Sequence, residues 1–203
     1  IWYLHSGELY STYSPHLDII YCIIRLDRET LITGSKDKTI AIFNWRTNEL
    51  KQRLIGHQDY VYCLKMLDKT RLFSGSGDKT KKLWNIKTGQ TLATYEGSYH
   101  EVISTLCTLN EYGRLISGSW NNSLAVWDIE SGTNIFRIKI NTAQVRCIIR
   151  IKDNFVASCS DDGSVKVWDV MNGQVLYEKY FDGKVRFIEK KNDSEMYVVM
   201  MDR

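Results

Sequence analysis

Serine, histidine and aspartate recur together in this chain, and these three residue types form a hydrolytic catalytic triad. One such group is His57, Ser74 and Asp78. A triad occurs once and needs an exposed nucleophile with an oxyanion hole, whereas here histidine returns at the same repeat position at His16 and His100. We therefore interpret the group as a structural module and predict that the chain is not an enzyme.

A phosphate-binding loop is a second chemistry to consider, because residues 75–80 read GSGDKT. An acidic residue precedes Lys79 where such a loop needs glycine, and a strand is expected to follow instead of a helix. We reject this site. The three lysines within 79–82 are interpreted as a solvated strand edge.

The five cysteines include no C-x-x-C pair. Three of them share one repeat position with large apolar residues: Cys22, Cys63 and Cys147 alternate there with Leu106 and Phe187. The pattern predicts buried thiols, with no disulfide, no zinc site and no cofactor. An odd number of cysteines also favours a reducing intracellular compartment, either cytoplasm or nucleus.

A repeat of about 41 residues must position all these groups. Four segments read as variants of one phrase: TGSKDKTIAIFN (33–44), SGSGDKTKKLWN (74–85), SGSWNNSLAVWD (117–128) and SCSDDGSVKVWD (158–169). The aromatic residues Trp2, Phe43, Trp84, Trp127 and Trp168 are spaced by 41, 41, 43 and 41 residues. Two extra residues before His100 account for the longer spacing, and the alignment then places Ser104 with Val61.

Each unit holds four short β-rich segments separated by turn signals, such as VYCLKML, RLFSGS, TKKLWNI and QTLATYE in the second unit. Four strands in about 40 residues is typical of a propeller blade. We predict an all-β chain of four-stranded antiparallel blades. The repeats run approximately over 1–11 (third and fourth strands), 12–52, 53–94, 95–136, 137–177 and 178–203 (first and second strands).

Composition agrees with a globular β protein. The chain has 203 residues, 43% of them apolar, and a net charge of +3. No stretch approaches the roughly 20 apolar residues of a membrane span, and the basic residues are not clustered. We expect neither membrane insertion nor nucleic acid binding.

These phrases resemble the WD40 repeat family, most strongly at 74–85, 117–128 and 158–169, over essentially the whole chain. The resemblance implies a hydrogen-bonded chain of histidine, serine, aspartate and tryptophan inside each blade. One repeat holds all four residues of this hydrogen-bonded chain: His57, Ser74, Asp78 and Trp84. The other repeats depart from it: Phe43 replaces the tryptophan, Asn121 the aspartate, Asn141 the histidine, and Cys159 the glycine after the serine. The repeats amount to about five blades' worth of sequence, three strong and two weaker or split. Because members of this family usually have seven blades, the resemblance favours a part of a seven-bladed propeller, with closure as five blades as the alternative.

The resemblance implies that partners dock at the channel mouth on one face, where two positions vary between repeats. The predicted partner-binding residues are Tyr21, Lys36, Tyr60, Tyr62, Thr105, Trp120, Gln144, Arg146, Asp161, Lys184, Arg186 and Met201. Trp120 is the strongest single candidate for partner binding. The alternative interpretation is that its side chain packs against a loop of the neighbouring blade. Tryptophan, tyrosine and arginine are frequent binding hot spots, and arginine pairs well with carboxylate or phosphate.

Two functions remain open. The first is an adaptor that recognises a phosphorylated or acidic peptide, similar to F-box/WD substrate receptors of ubiquitin ligases, although no F-box is visible in these residues. The second is a structural scaffold subunit of a trafficking, ciliary or RNA-processing assembly. Both are non-catalytic protein-binding roles.

Overall fold

The computed structural model describes residues 5–9, 12–96, 101–139, 141–192 and 195–201. Trp2 and His100, which anchor parts of the repeat alignment, lie outside these ranges. The regular secondary structure of the described residues is β-strand, apart from one 3-10 turn at Asn110–Tyr112. No helix among the described residues is long and apolar enough to cross a membrane.

The strands form successive antiparallel sheets in chain order. The first sheet contains β1 (Ile20–Arg25), β2 (Thr30–Ser35), β3 (Ile40–Asn44) and β4 (Glu49–Leu54). The second contains β5 (Val61–Met66), β6 (Arg71–Ser76), β7 (Thr80–Asn85) and β8 (Thr91–Glu96). The third contains β9 (Ile103–Leu109), β10 (Arg114–Ser119), β11 (Ser123–Asp128) and β12 (Asn134–Lys139). The fourth contains β13 (Val145–Lys152), β14 (Phe155–Ser160), β15 (Ser164–Asp169) and β16 (Val175–Tyr180). The last pairs β17 (Lys184–Lys190) with β18 (Met196–Met201). The prediction of an all-β fold built from four-stranded blades is confirmed.

A repeated turn joins the second and third strands of each four-stranded sheet. Its third residue has a positive φ in every copy: Lys38 (72°), Lys79 (75°), Asn122 (73°) and Gly163 (84°). In the second sheet the Asp78 carboxylate, just before this residue, accepts hydrogen bonds from the N–H and hydroxyl of Thr80. These bonds offset the cost of the left-handed conformation and fix the aspartate beside the sheet.

The apolar core lies in layers between neighbouring sheets. Glycine at the end of the second strand lets the next blade approach closely. A Cβ at Gly34 would come within 2.7 Å of Val61, and one at Gly75 within 2.6 Å of Ile103. The first three blades therefore keep glycine where the first strand of the following blade packs.

The outer faces of the first and last sheets are exposed. Ile23 is 59% exposed, whereas Leu64 at the same repeat position is 7% exposed. Phe187 is 47% exposed, since no described sheet packs beyond β17–β18. The prediction of buried thiols at this repeat position is confirmed for Cys63 and Cys147, and Cys22 is partly buried.

The first strand of the third blade corrects the predicted alignment by one residue. Ile103, not Ser104, pairs with Ser119 as Val61 pairs with Ser76, and Ile103 is buried. One additional residue therefore belongs to the connection between β9 and β10, where the chain forms the 3-10 turn that ends at Gly113.

Lys81 also departs from the expected solvated edge. It is only 2% exposed, and its ammonium lies 3.7 Å from the centre of the Trp127 ring. Burial lowers the pKa of Lys81 to about 7, and the nearby Arg137 charge acts in the same direction. The side chain fills a position held by Ile40 in the first blade and extends toward the third blade.

Candidate functional site

The group that resembles a triad forms a hydrogen-bonded chain inside the second blade. Trp84 Nε1 donates to Ser74 Oγ over 2.8 Å, and Ser74 Oγ lies 2.6 Å from His57 Nε2. His57 Nδ1 lies 2.7 Å from Asp78 Oδ2, so the imidazole connects the serine hydroxyl to the carboxylate. Ser74 is fully buried, so the arrangement joins strands and does not present a nucleophile.

The first blade holds a shorter version of this chain. His16 Nε2 lies 2.9 Å from Thr33 Oγ1, and His16 Nδ1 lies 2.9 Å from Asp37 Oδ2. Phe43 replaces the tryptophan, so this blade lacks the indole bond. In the third blade Trp127 still donates to Ser117 over 3.0 Å.

The fourth blade lacks the histidine, and its polar groups are left unpaired. Ser158 Oγ, Trp168 Nε1 and Asn141 Oδ1 are buried without a hydrogen-bond partner. The Asn141 amide nitrogen instead bonds Ser164 over 2.7 Å. Asparagine is too short to reach the serine that a histidine reaches in the second blade.

Asn141→His should therefore stabilise the fourth blade. The ring would connect Ser158 with Asp162, and the freed serine oxygen would accept the Trp168 N–H. Satisfying two buried groups is expected to raise the free energy of unfolding by about 1 to 2 kcal/mol. Urea unfolding followed by circular dichroism measures the change, with Asn141→Ala as the control that cannot make these bonds. A gain no larger than that of the alanine variant would contradict this account of the blade.

The aspartates of these chains are held ionised. Burial disfavours the charged form of Asp78, but the hydrogen bond and charge of His57 and the hydroxyl of Thr80 outweigh it and keep the pKa of Asp78 well below its usual range. The same balance of burial against donated hydrogen bonds lowers the pKa of Asp37 to about 2 and that of Asp162 to about 2.

This arrangement predicts acid sensitivity. A carboxylate with a depressed folded pKa contributes stability that is present above its unfolded pKa of about 3.9 and is lost as the pH falls through its folded pKa. The urea midpoint should therefore fall between about pH 4 and about pH 2. Asp78→Asn should flatten this dependence, while the exposed control Glu130→Gln should keep it. Equal slopes in the two variants would show that Asp78 is not linked to folding.

Residues of the predicted channel mouth are positioned by one repeated backbone bond. The N–H of the residue after the second strand donates to the carbonyl of the residue before the first strand. The pairs are Lys36 to Ile19 (2.8 Å), Gly77 to Tyr60 (2.9 Å), Trp120 to Val102 (3.2 Å) and Asp161 to Gln144 (3.1 Å). The two variable positions of each repeat therefore lie side by side on one face.

Four aromatic side chains from the first three blades form a continuous row on this face, which we call the aromatic row. The Tyr21 ring lies 6.0 Å from the Tyr60 ring and 4.8 Å from the Tyr62 ring, centre to centre. Trp120 lies 5.1 Å from Tyr62. The Lys36 ammonium is 5.6 Å from the centre of Tyr60 at the end of the row. Trp120 thus packs against a neighbouring blade and also belongs to the surface.

A charged cluster follows the row on the fourth and fifth blades. Arg146 binds both oxygens of Asp161, through Nε at 2.8 Å and Nη2 at 2.5 Å. Arg186 Nη1 lies 3.2 Å from the same carboxylate, and Arg186 Nε donates to the Met201 sulfur over 3.0 Å. Two guanidinium groups share one carboxylate, so one positive charge remains in excess.

Thr105 does not belong to this surface. It is buried, and its hydroxyl accepts a hydrogen bond from the Ile148 N–H over 3.1 Å. The prediction is wrong by one residue, for the register reason given above. Ser104 occupies the surface position that was predicted for Thr105, and its hydroxyl lies within hydrogen-bond distance of the carbonyls of Gly118 and Val145. Gln144 is half-buried and Lys184 is exposed, both at the starts of first strands.

Two further residues of the surface were not predicted from the sequence. Asp18 lies 3.5 Å from the Lys36 ammonium and pairs with it. Asp59 directly precedes Tyr60 in the sequence. Its carboxylate packs against Gly77, because a Cβ built at Gly77 would lie 2.7 Å from the carboxylate and 3.3 Å from the Tyr62 ring. Both acids lie just before a first strand, where the repeat gives no single residue type.

The surface contains a pocket of about 270 Å³, lined by Tyr21, Tyr62, Ser104, Trp120 and Arg146. It joins the aromatic row to the arginine of the charged cluster. Apolar faces with a few directed polar groups are typical of recognition sites. Among the described residues no group of three histidine, cysteine or acidic side chains is arranged to hold a metal ion.

Comparison with known proteins gives a family match over most of the chain. The model of the WD domain, G-beta repeat, matches residues 7–44, 48–85, 89–128 and 132–169. Each matched segment ends at the last residue of a third strand in the structure.

Similar curated proteins include fungal proteins named mitochondrial division protein 1. The protein of Neurospora crassa is 37% identical over 59 residues, which is 29% of this chain and 9% of the relative. That of Aspergillus niger is 39% identical over 59 residues, also 29% of this chain and 9% of the relative. That of Aspergillus terreus is 31% identical over 83 residues, which is 41% of this chain and 12% of the relative. The matched segments thus span about a tenth of the relatives' length.

Proposed function

The chain belongs to the WD40 repeat family, and on that premise we propose that it is a non-catalytic adaptor that binds a segment of a partner protein at the channel-mouth face. WD40 repeats are protein-interaction modules, which agrees with this class of function. The relatives' part in mitochondrial division is not carried over, because the similarity covers only about a tenth of their length.

The observation that carries this proposal is the aromatic row and its pocket. Tyr62 and Trp120 come from different blades, yet their rings lie 5.1 Å apart and line the same pocket. The repeat does not require aromatic residues here, since the same two positions hold Arg146 and Asp161 in the fourth blade. Such an aromatic surface provides apolar area and edge or face contacts for an apolar or aromatic side chain of a bound peptide.

The charged cluster sets the expected polarity of the bound segment. Arg146 Nη1 and Arg186 Nη2 are not used in the bonds to Asp161. These donors, with one unit of excess positive charge, favour an acidic group next to the apolar anchor of the peptide. Asp161 reduces that attraction, so a carboxylate fits the cluster better than a doubly charged phosphate.

Removing the shared carboxylate tests this polarity. Asp161→Asn should strengthen binding of an acidic peptide by about 3- to 10-fold and steepen its salt dependence, because close unlike charges at interfaces are worth about 1 kcal/mol or more. Isothermal titration at two salt concentrations measures both effects. Asp153→Asn, at an exposed acid between β13 and β14, is the control. Weaker binding in Asp161→Asn would show that the surface prefers a cationic segment.

Selection from a displayed random peptide library tests the proposal itself. The wild-type chain is the bait, and the Trp120→Ala chain removes background binders in a parallel arm. We expect enriched peptides that share an apolar or aromatic residue beside an acidic one and that bind only the wild-type chain. The same peptides enriched on both baits would place binding elsewhere and overturn the proposal. Phosphorylated versions of the enriched peptides then test the finer hypothesis of a phosphopeptide receptor in a ubiquitin ligase.

A further inference from the structure

Cys147 and Cys159 are directly opposite each other on neighbouring strands. They are paired residues of β13 and β14 in the antiparallel register. Both side chains belong to the same apolar cluster between the fourth and fifth sheets. Cys159 is fully buried and Cys147 is 7% exposed. The position of Cys159 holds Gly34, Gly75 and Gly118 in the three preceding blades, so only this blade has two cysteines across the strand pair.

In two preceding blades the sulfur of the cysteine lies close to the residue opposite it. Cys63 occupies the position of Cys147 in the second blade, and a Cβ built on the opposite Gly75 would lie 2.6 Å from the Cys63 sulfur. In the first blade the Cβ of Gly34 would lie 2.7 Å from the Cys22 sulfur. In a disulfide the Cβ of one half-cystine lies roughly 3 Å from the sulfur of the other.

The Cys147 thiol is oriented differently from the Cys63 thiol. Cys147 Sγ donates to the carbonyl of Ile188 over 3.6 Å, whereas Cys63 Sγ donates to the carbonyl of Ile103 over 3.7 Å. The counterpart of Ile103 in the last sheet is Val185, three residues before Ile188. A bond to Cys159 therefore requires the Cys147 thiol to rotate about its Cα–Cβ bond. Directly paired antiparallel residues also have Cα separations of about 4.5 to 5.5 Å, within the range of disulfides.

We propose that Cys147 and Cys159 are a covalent modification site that hydrogen peroxide closes to a cross-strand disulfide. The peroxide O–O bond breaks as one thiolate is oxidised to a sulfenic acid, which releases one water after protonation. The second thiol attacks the sulfenic sulfur, forms the S–S bond and expels a second water. Two thiols and one peroxide thus yield one disulfide and two waters.

The site lies directly beneath the charged cluster. Arg146 precedes Cys147, and Asp161 follows Cys159 by two residues. The disulfide links the two strands that carry this ion pair. Burial raises the pKa of Cys159 to about 12, and that of Cys147 is raised by the same cause, so the thiolate is scarce at neutral pH and oxidation speeds up as the pH rises.

Peptide mapping of the folded, oxidised chain tests the proposal. The chain is treated with hydrogen peroxide at about pH 8.5, where thiolate forms more readily than at neutral pH. Remaining thiols are then blocked under denaturing conditions, and the chain is digested with trypsin. We expect a reducible link between peptides 147–150 and 153–166, with two of the five thiols lost.

Two variants separate the pair from other thiol chemistry. Cys159→Gly restores the residue of the preceding blades, and Cys147→Thr places the residue that the third blade carries as Thr105. Each should keep all four of its remaining thiols under the same treatment. The proposal is overturned if the wild-type chain keeps five thiols, if the link joins other cysteines, or if it forms only after the chain has been unfolded.

Discussion

Replacing His57 with alanine is expected to lower the free energy of unfolding by about 3 kcal/mol, because it leaves the Ser74 hydroxyl and the Asp78 carboxylate buried without their shared partner. Both groups lie within 2.7 Å of the imidazole, and Ser74 also receives the Trp84 N–H. One substitution therefore disrupts bonds among three strand and loop segments of the second blade.

Urea unfolding followed by circular dichroism measures this loss. His5→Ala is the matched control, since His5 is exposed and precedes the first matched segment, which begins at residue 7. A loss below about 0.5 kcal/mol, the usual size for surface substitutions, would mean that the chain of His57, Ser74 and Asp78 does not hold the blade together.

Trp120→Ala is expected to weaken peptide binding by about 30-fold, which corresponds to about 2 kcal/mol, the size of a hot-spot truncation. The indole lines the pocket and supports Tyr62 from the neighbouring blade. Its loss removes an anchor contact and loosens the centre of the aromatic row. The fold should be unaffected, because the other repeats hold lysine, glycine and aspartate at this position.

Titration of a library-selected peptide into each variant measures the effect. Tyr112→Ala is the matched control, since Tyr112 is an aromatic residue, 38% exposed, in the turn between β9 and β10 and away from the aromatic row. Equal affinities for the Trp120 and Tyr112 variants would remove Trp120 from the binding surface.

The repeat spacing predicted the blades because it reflects a physical requirement of the fold. The four strands, the tight turns and the buried positions recur whenever each sheet must pack both of its faces. The hydrogen-bonded chain of the second blade was also visible in the sequence. His57, Ser74, Asp78 and Trp84 each need a partner of defined chemistry, so their spacing pointed to their contacts.

The register of β9 was not predictable from spacing. A total insertion of two residues was visible in the sequence, but its division between two connections was not. One residue enters before Ile103 and the other enters the turn that ends at Gly113. A one-residue slip reverses which side chains face outward, and this exchanged Ser104 for Thr105.

Contacts between blades were also missed. The three-lysine run is typical of a solvated strand, yet Lys81 reaches over Trp127 of the next blade. Arg186 binds Asp161 of the preceding blade in the same way. Such partners lie about 25 to 46 residues apart in sequence, and only the packing angle between sheets determines which side chains meet. The pairing of Cys147 with Cys159 was not predicted either, because the sequence pattern indicated only buried thiols, and the strand register of the structure places the two residues opposite each other.

Hydrogen exchange of the chain with and without a library-selected peptide tests the central claim most directly. Our account predicts that the peptide slows exchange at the starts of first strands and the turns beside them, around residues 58–62, 77–79, 120–122 and 142–146, and leaves the outer strands β4, β8, β12 and β16 unchanged. Protection confined to the outer strands, with no change around Tyr62 and Trp120, would contradict the assignment of this face as the binding surface.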